Sequence, residues 1–206
     1  MTEQGSIKMK WHLAALSAFS LTLAMASPSA AQFSEQFEFF KAVEKGSGAE
    51  AKPFMDKPGS TIVNARKRDG GVTALHIVTE RRDAPWINFL KQGGADVNLR
   101  DDEGNTPLMV AANKRFTDGV QLLLAYGANV NLANNRGETP LIRAVQLKDA
   151  NSVRMLIAAG ANPDQTDHVA GMSARDYATR DRRAAHIVRL LDAAEADTTG
   201  VMGPTQ

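Results

Sequence analysis

Residues 101–133 read DDEGNTPLMVAANKRFTDGVQLLLAYGANVNLA, and this stretch has near-copies on both sides. Thr106-Pro107-Leu108 recurs 33 residues later as Thr139-Pro140-Leu141, and Thr73-Ala74-Leu75 matches it 33 residues earlier. A fixed period of this length indicates an array of similar units that bury their apolar faces against one another. The period therefore predicts the architecture before any single residue is considered.

Each unit begins with the signals of a short helix. A hydroxyl residue stands where the helix N-cap is expected, and in two units a proline follows at the first helical position, where its missing N–H is not needed. The N-cap residues are Thr73, Thr106, Thr139 and Ser173. We expect these first helices to end near Arg82, Lys114, Lys148 and Arg180.

A second helix follows in each unit, and its apolar positions recur in register. Spacing of three and four residues places them on one helical face. The three columns are Ile87, Val120 and Val153; Leu90, Leu123 and Leu156; and Lys91, Leu124 and Ile157. Glycine then ends each helix, at Gly93-Gly94, Gly127 and Gly160.

Two motifs at constant spacing make the chain resemble the ankyrin-repeat family. The opening D-x-x-G-x-T-P-L occupies residues 101–108, and the closing G-A-D-V-N occupies residues 94–98. The resemblance is strong over about residues 64–191 and weak over 34–63. It implies an all-α fold, an ankyrin-repeat solenoid of stacked helix-turn-helix units with β-hairpin-like loops projecting from one edge.

The repeat boundaries predict seven segments. They are a signal peptide at 1–31, a degenerate N-terminal capping repeat at 34–67, three repeats at 68–100, 101–133 and 134–166, a C-terminal capping repeat at 167–194, and a disordered tail at 195–206. In the first unit, we expect an amphipathic helix over 35–45 with Phe37, Phe40 and either Val43 or Glu44 on one face, and a second helix over 49–56. In the last unit, Arg175 replaces the leucine of the earlier repeats, so we expect no further repeat to cover it.

The N-terminal residues predict export. Lys8 and Lys10 precede an apolar run at 13–26 that is too short to cross a bilayer comfortably, and Ser29 and Ala31 fit a cleavage site after Ala31. This pattern predicts an exported bacterial protein, periplasmic or secreted. An uncleaved leader would instead make it a membrane anchor, and translation starts at either Met1 or Met9.

Composition excludes several classes of protein. Without residues 1–31 the chain has equal numbers of basic and acidic side chains, which argues against a nucleic-acid binder. The chain contains no cysteine, so disulfides, thiolate metal sites and cysteine nucleophiles are excluded.

A search for catalytic, cofactor or metal sites finds structural explanations instead. We expect His76 to join neighbouring repeats and Ser173 to be an N-cap rather than a nucleophile. We expect Asp164, Asp167 and His168 to organise a loop rather than bind a metal. The glycines at 46–48 lack the pattern of a phosphate loop. The sequence thus predicts no catalytic residue, no cofactor and no metal, and hence no enzyme.

The surface implied by the resemblance is the concave face formed by hairpin tips and first helices, where family members bind protein partners. The candidate partner-binding residues are Asp69, Val72, Glu80, Arg81, Asp102, Glu103, Asn105, Asn113, Lys114, Asn135, Arg136, Glu138, Gln146 and Leu147. Two basic clusters, Arg66-Lys67-Arg68 and Arg81-Arg82, are either solvated loop charge or a surface for an acidic partner. We therefore expect a protein-protein interaction scaffold in the cell envelope. The alternative is a secreted effector or an accessory subunit that modulates an exported enzyme.

Overall fold

The computed structural model describes the backbone of residues 28–199 and the side chains of residues 34–193. Most of the predicted signal peptide and the end of the predicted tail lie outside these ranges. Within residues 28–199 the chain forms five consecutive pairs of α-helices. Their bounds are α1 Pro28–Lys45, α2 Gly48–Met55, α3 Ala74–Glu80, α4 Ala84–Gln92, α5 Pro107–Asn113, α6 Thr117–Ala125, α7 Pro140–Gln146, α8 Ala150–Ala158, α9 Ala174–Arg180 and α10 Ala185–Thr199.

The pairs stack in chain order to form a solenoid. The first helices α1, α3, α5, α7 and α9 form one layer in which each packs on the next. The second helices α4, α6, α8 and α10 form the other layer in the same way. The connecting loops contain isolated antiparallel bridges, such as Arg66 with Thr73, and the part of the chain that the structure describes has no strand. The predicted all-α solenoid is confirmed.

The apolar columns of the repeat form the core. Leu75, Leu108 and Leu141 of the first helices have at most 1% of their surface exposed. Ile87, Val120 and Val153 and the leucines at 90, 123 and 156 are fully buried. Because equivalent residues of successive repeats contact one another, a single core extends along the stack.

Three of the first helices are shorter than predicted. They end at Glu80, Asn113 and Gln146 rather than near Arg82, Lys114 and Lys148. The reason is that Arg82, Arg115 and Lys148 adopt a left-handed backbone conformation, with φ of 60°, 51° and 56°, which a helix cannot include. In these three repeats the turn between the two helices is therefore made by a basic residue, whereas in the N-terminal unit Gly46 takes this conformation, with φ of 75°.

The N-terminal unit differs from its prediction in two respects. α1 begins at Pro28 rather than near residue 35, since proline is favoured at the first helical position and alanines follow it. The prediction that Phe37 lies on the buried face is wrong, because 66% of its surface is exposed. Phe40 and Val43 are buried as expected, and Phe39 takes the place of Phe37 on the buried face.

The C-terminal unit has a charged residue in place of a buried leucine. Arg175 takes the column position that leucine holds in earlier repeats, and its guanidinium pairs with Asp164 at 3.0 Å and Asp192 at 2.9 Å. Among residues 28–199 no further helix covers it. The predicted disordered tail is wrong for residues 195–199, because α10 continues to Thr199 through an alanine-rich segment of high helix propensity.

Candidate functional site: the central groove

The loops that precede the first helices are held in register by one another. The backbone N–H of Asp102 donates to the carbonyl of Gly70 at 3.0 Å, that of Asn135 to Glu103 at 3.0 Å, and that of His168 to Arg136 at 2.8 Å. Each loop then leads into a capped helix: Oγ1 of Thr106, for example, accepts from the N–H of Met109. Loops and first helices of successive repeats thus form one continuous surface.

A groove of about 420 Å³ lies on this surface across three repeats, and we call it the central groove. Its lining comes from the loops and from α3, α5 and α7. The residues are Val72, His76, Ile77, Glu80, Asp101, Glu103, Asn105, Met109, Val110, Asn113, Asn134, Arg136, Glu138 and Arg143.

Equivalent positions of successive repeats supply all of this lining. Residues 33 apart form columns that run along the groove: Val72, Asn105 and Glu138; Ile77, Val110 and Arg143; His76 and Met109; Glu80 and Asn113; Asp101 and Asn134; Glu103 and Arg136. The backbone therefore repeats while the side chain changes along each column, for example from apolar to polar to charged in the column of Val72, Asn105 and Glu138. A rigid frame with varied side chains is suited to recognition.

The floor of the groove combines apolar side chains with one histidine. Ile77 and Val110 are half-buried, and Met109 is buried. Nδ1 of His76 accepts from the N–H of Thr73 at 3.2 Å, and Nε2 lies 2.9 Å from the carbonyl oxygen of Asn105 in the next repeat. Burial lowers the pKa of His76, although the bond to Asn105 opposes this effect. These contacts match the role expected for His76, which joins two repeats.

The polar wall of the groove is organised by its own hydrogen bonds. Oδ1 of Asp101 accepts from the N–H of Asn105 at 2.7 Å, and the Nδ2 of Asn105 donates to Glu103 at 3.1 Å. Asn134 of the following loop donates to Oδ1 of Asn105 at 3.1 Å. The wall is thus built by side chains that fix one another, with Glu103 exposed at its edge.

Glu138 is the one hairpin-tip candidate that is buried, with 9% of its surface exposed. Its Oε2 accepts from Nη2 of Arg136 at 2.7 Å and from Nδ2 of Asn134 at 2.9 Å. Nη1 of Arg143 lies 3.7 Å from its Oε1. The charge of Glu138 is thus compensated within the protein. Its carboxylate positions Arg136 and Arg143, the two arginines that line the groove.

Half of the candidate residues from the sequence line the central groove, and the others lie around it. Inside are Val72, Glu80, Glu103, Asn105, Asn113, Arg136 and Glu138. Outside are Asp69 in the first loop, Arg81 against the N-terminal unit, Asp102 paired with Arg66, Lys114 paired with Glu80, Asn135 bonded to the Asp102 carbonyl, Gln146 bonded to Arg143, and Leu147 at the end of α7.

Sequence reasoning missed several groove residues, although a signal for them was present. Ile77, Val110 and Arg143 are 33 residues apart, as are Asp101 and Asn134. Following every column of the repeat, and not only the apolar ones, would have included them.

The residues that the sequence analysis considered as possible catalytic or metal-binding groups have structural roles. Asp167 is buried, and its Oδ1 accepts from the N–H groups of Val169, Ala170 and Gly171 while Tyr177 donates to Oδ2 at 2.6 Å. Among residues 34–193 no group of three or more histidine or acidic side chains is placed to hold a metal ion.

The serine considered as a nucleophile and the glycine loop considered for phosphate binding both serve as helix caps. Oγ of Ser173 accepts from the N–H of Asp176, so Ser173 is the predicted N-cap. Ser47 of the glycine loop at 46–48 likewise caps α2, and Lys52 pairs with Asp56.

The sequence matches the profile of the family described as "Ankyrin repeats (3 copies)" over residues 30–134 and again over residues 75–167. These matches cover well over half of the chain. The chain belongs to the ankyrin-repeat family. A search among curated proteins found no match to it.

Family membership fits the groove and its surroundings. Ankyrin repeats generally mediate protein-protein interaction, and ankyrin-repeat proteins are typically non-enzymatic scaffolds. Within residues 28–199 the ankyrin stack contains no helix that is both long enough and apolar enough to span a lipid bilayer.

Proposed function

We propose that this ankyrin-repeat protein is a non-enzymatic binding module of the cell envelope that holds a partner protein in its central groove. The observation that carries the proposal is the column arrangement: one rigid backbone presents a different side chain at each equivalent position of three repeats. Because the groove is already formed, binding orders few groups and loses little conformational entropy.

The groove suits an extended segment better than a compact small molecule. It runs across three repeats, with apolar positions at Ile77, Met109 and Val110 and polar groups along both sides. Such a lining can receive successive side chains of a peptide, the apolar ones on the floor and the polar ones at the rim. Glu80, Glu103 and the two arginines would then select the charge of the partner.

Charge reversal in the groove tests this proposal. The tagged chain is used to capture partners from an envelope fraction, and capture is compared with that by a Glu80→Lys, Glu103→Lys variant. A Glu50→Lys, Asp118→Lys variant is the matched control, since both residues are exposed on the second helices α2 and α6. We expect loss of capture only in the groove variant; equal capture by both variants would contradict the proposal.

Export is the second part of the proposal, and the leader pattern of residues 1–31 supports it. Sequencing the N-terminus of the protein recovered from the periplasm should give Gln32 as the first residue. A start upstream of the apolar run at 13–26 would show that the leader is retained, and recovery in the cytosol alone would contradict an envelope function.

A further inference from the structure

A second groove lies on the same face at its N-terminal end, between α1 and the first loop. It has a volume of about 400 Å³, and we call it the N-terminal groove. Phe37, Phe40 and Lys41 of α1 form one side, and Arg66, Lys67 and Arg68 form the other. None of its residues lines the central groove, so it can bind a ligand independently.

Among residues 28–199, no repeat packs on the N-terminal side of the unit at 34–67, and this leaves the groove open in the described part of the chain. Each later loop is covered on its N-terminal side by the loop of the preceding repeat: the N–H of Asp102 is bonded to the carbonyl of Gly70, and that of Asn135 to Glu103. The loop at 66–71 is instead flanked by α1, which leaves a gap between helix and loop.

The aromatic lining of the gap is unusual for a terminal repeat. Terminal repeats of solenoids normally present a polar outer face, which keeps the protein soluble. Phe37 is nevertheless 66% exposed, and among residues 34–193 only Val169 is a comparably exposed large hydrophobic residue. An exposed phenylalanine beside the gap supplies an apolar contact for an inserted side chain.

The charge of the N-terminal groove is positive. Four cationic and two acidic side chains line it, the acidic ones being Glu44 and Asp69, whereas four carboxylates and two arginines line the central groove. Arg66 of the lining is paired with Asp102 at 2.8 Å. Lys41 pairs with Glu38 at 3.5 Å and Lys67 with Glu44 at 2.6 Å. Both ion pairs are exposed to solvent and contribute little to stability. Each lysine can therefore leave its intramolecular carboxylate and pair with a carboxylate of a partner.

We propose that the N-terminal groove binds a segment of a partner protein in which acidic residues flank an aromatic or large aliphatic side chain. The apolar side chain enters the gap beside Phe37 and Phe40, and its acidic neighbours pair with Lys41, Lys67 and Arg68. This inference rests on the proposed function and specifies the chemistry of the partner. A peptide is favoured over an anionic membrane, because membrane binding requires an extended apolar face and, among residues 34–193, Phe37 is the one exposed large hydrophobic side chain beside this groove.

The test uses short fluorescein-labelled peptides and the full chain, with fluorescence anisotropy as the readout. One peptide has glutamates on both sides of a phenylalanine; the others replace glutamate with glutamine, phenylalanine with alanine, or glutamate with lysine. We expect saturable binding of the first peptide that weakens with salt, and at least about tenfold weaker binding of the others. Absence of saturable binding, or equal binding of the glutamine peptide, would overturn the proposal.

Protein variants locate the site. Phe37→Ala and the double variant Lys41→Glu, Arg68→Glu should each weaken binding about tenfold, because all three side chains are exposed at the groove. Arg154→Glu, Arg189→Glu makes the same change of charge on exposed positions of α8 and α10 and should bind as the unaltered chain does. Equal binding by all variants would overturn the assignment, as would binding of phosphatidylglycerol vesicles in preference to the acidic peptide.

Capture from the envelope fraction separates this inference from the proposed function. If the central-groove variant loses its partner while Phe37→Ala and Lys41→Glu, Arg68→Glu retain it, the acidic-segment inference fails and the proposed function stands. If neither set of variants affects capture, both fail.

Discussion

The backbone N–H of Asn162 donates a hydrogen bond of 2.8 Å to Oδ1 of Asn131, one repeat earlier. Nδ2 of the same Asn131 donates to the carbonyl of Gly160 at 3.1 Å. Asn98 and Asn64 make the same pair of bonds to the turns of the repeats that follow them. The asparagine that closes the G-A-D-V-N motif at residue 98 and its equivalents at 64 and 131 therefore hold the end of the second helix of the next repeat.

Replacing Asn131 with alanine should weaken the coupling of two repeats. Two bonds to backbone groups are lost, and at about 1 kcal/mol each we expect the free energy of unfolding to fall by about 2 kcal/mol. Urea denaturation measures the change. Asn151→Ala is the control, since Asn151 is exposed on α8 and its side chain bonds only to Arg154. Equal losses in the two variants would show that the asparagine bonds do not stabilise the stack.

Gly104 and Gly127 allow a paired test of how closely the loops approach one another. Both have φ of +82°, so alanine costs about 1–2 kcal/mol at either position through backbone strain. A Cβ at Gly104 would also lie 2.8 Å from the backbone nitrogen of Asn135, whereas one at Gly127 would meet nothing within 4 Å.

We therefore expect Gly104→Ala to be about 1–3 kcal/mol less stable than Gly127→Ala, the range typical of overpacking. The difference in thermal or urea unfolding between the two variants isolates the effect of the close approach. Similar stabilities would show that the loops can move apart without cost.

Repetition explains which parts of the fold the sequence predicts. Thr106 and Leu123 occur at the same place in several repeats, so their roles as cap and core are supported by several copies. Phe37 occurs in a degenerate unit with no copy to align, and spacing alone does not distinguish a helical face containing Phe37 from one containing Phe39. The error at Phe37 therefore follows from the absence of a period at the end of the stack.

The candidate site could be predicted only in part, for a different reason. Columns of residues 33 apart identify which side chains face the groove, but not which of them neutralise each other. Glu138 is buried because Arg136 of its own loop and Arg143 of α7 both reach it. That contact depends on side-chain geometry between elements, about which a linear pattern carries no information.

Arg81 shows the same limitation, and it suggests a further test. Its Nη1 donates to the carbonyl of Val43 at 2.8 Å, its Nη2 to Asp83 at 3.0 Å, and its guanidinium lies 5.7 Å from the ring centre of Trp86. Arg81 thus joins the N-terminal unit to the first complete repeat.

We expect Arg81→Ala to destabilise the N-terminal unit by about 1.5–3 kcal/mol, as for the loss of hydrogen bonds made by a charged group. Hydrogen exchange should become faster in residues 34–65 and stay unchanged in residues 101–166. Lys52→Ala, which removes an exposed ion pair on α2, is the control. Uniformly faster exchange along the chain would contradict a local role for Arg81.

We expect His76 to make the stability of the stack depend on pH. Burial holds the pKa of His76 below the 6.5 of an ordinary histidine, so the unfolded chain takes up a proton at a higher pH than the folded chain. The free energy of unfolding should therefore fall as pH drops below 6.5, by at most about 1.4 kcal/mol for each pH unit, until the folded-state pKa is reached.

The slope of the free energy of unfolding against pH identifies His76 as the titrating group, whereas the absolute free energy of unfolding does not. His76→Gln removes the titrating ring and should abolish this fall between about pH 7.5 and about pH 5.5, above the range where carboxylates titrate. The variant should be less stable at the upper pH, because the bond from Nε2 to the Asn105 carbonyl is altered. An unchanged slope in His76→Gln would assign the pH dependence to another group and would show that the buried histidine tolerates protonation.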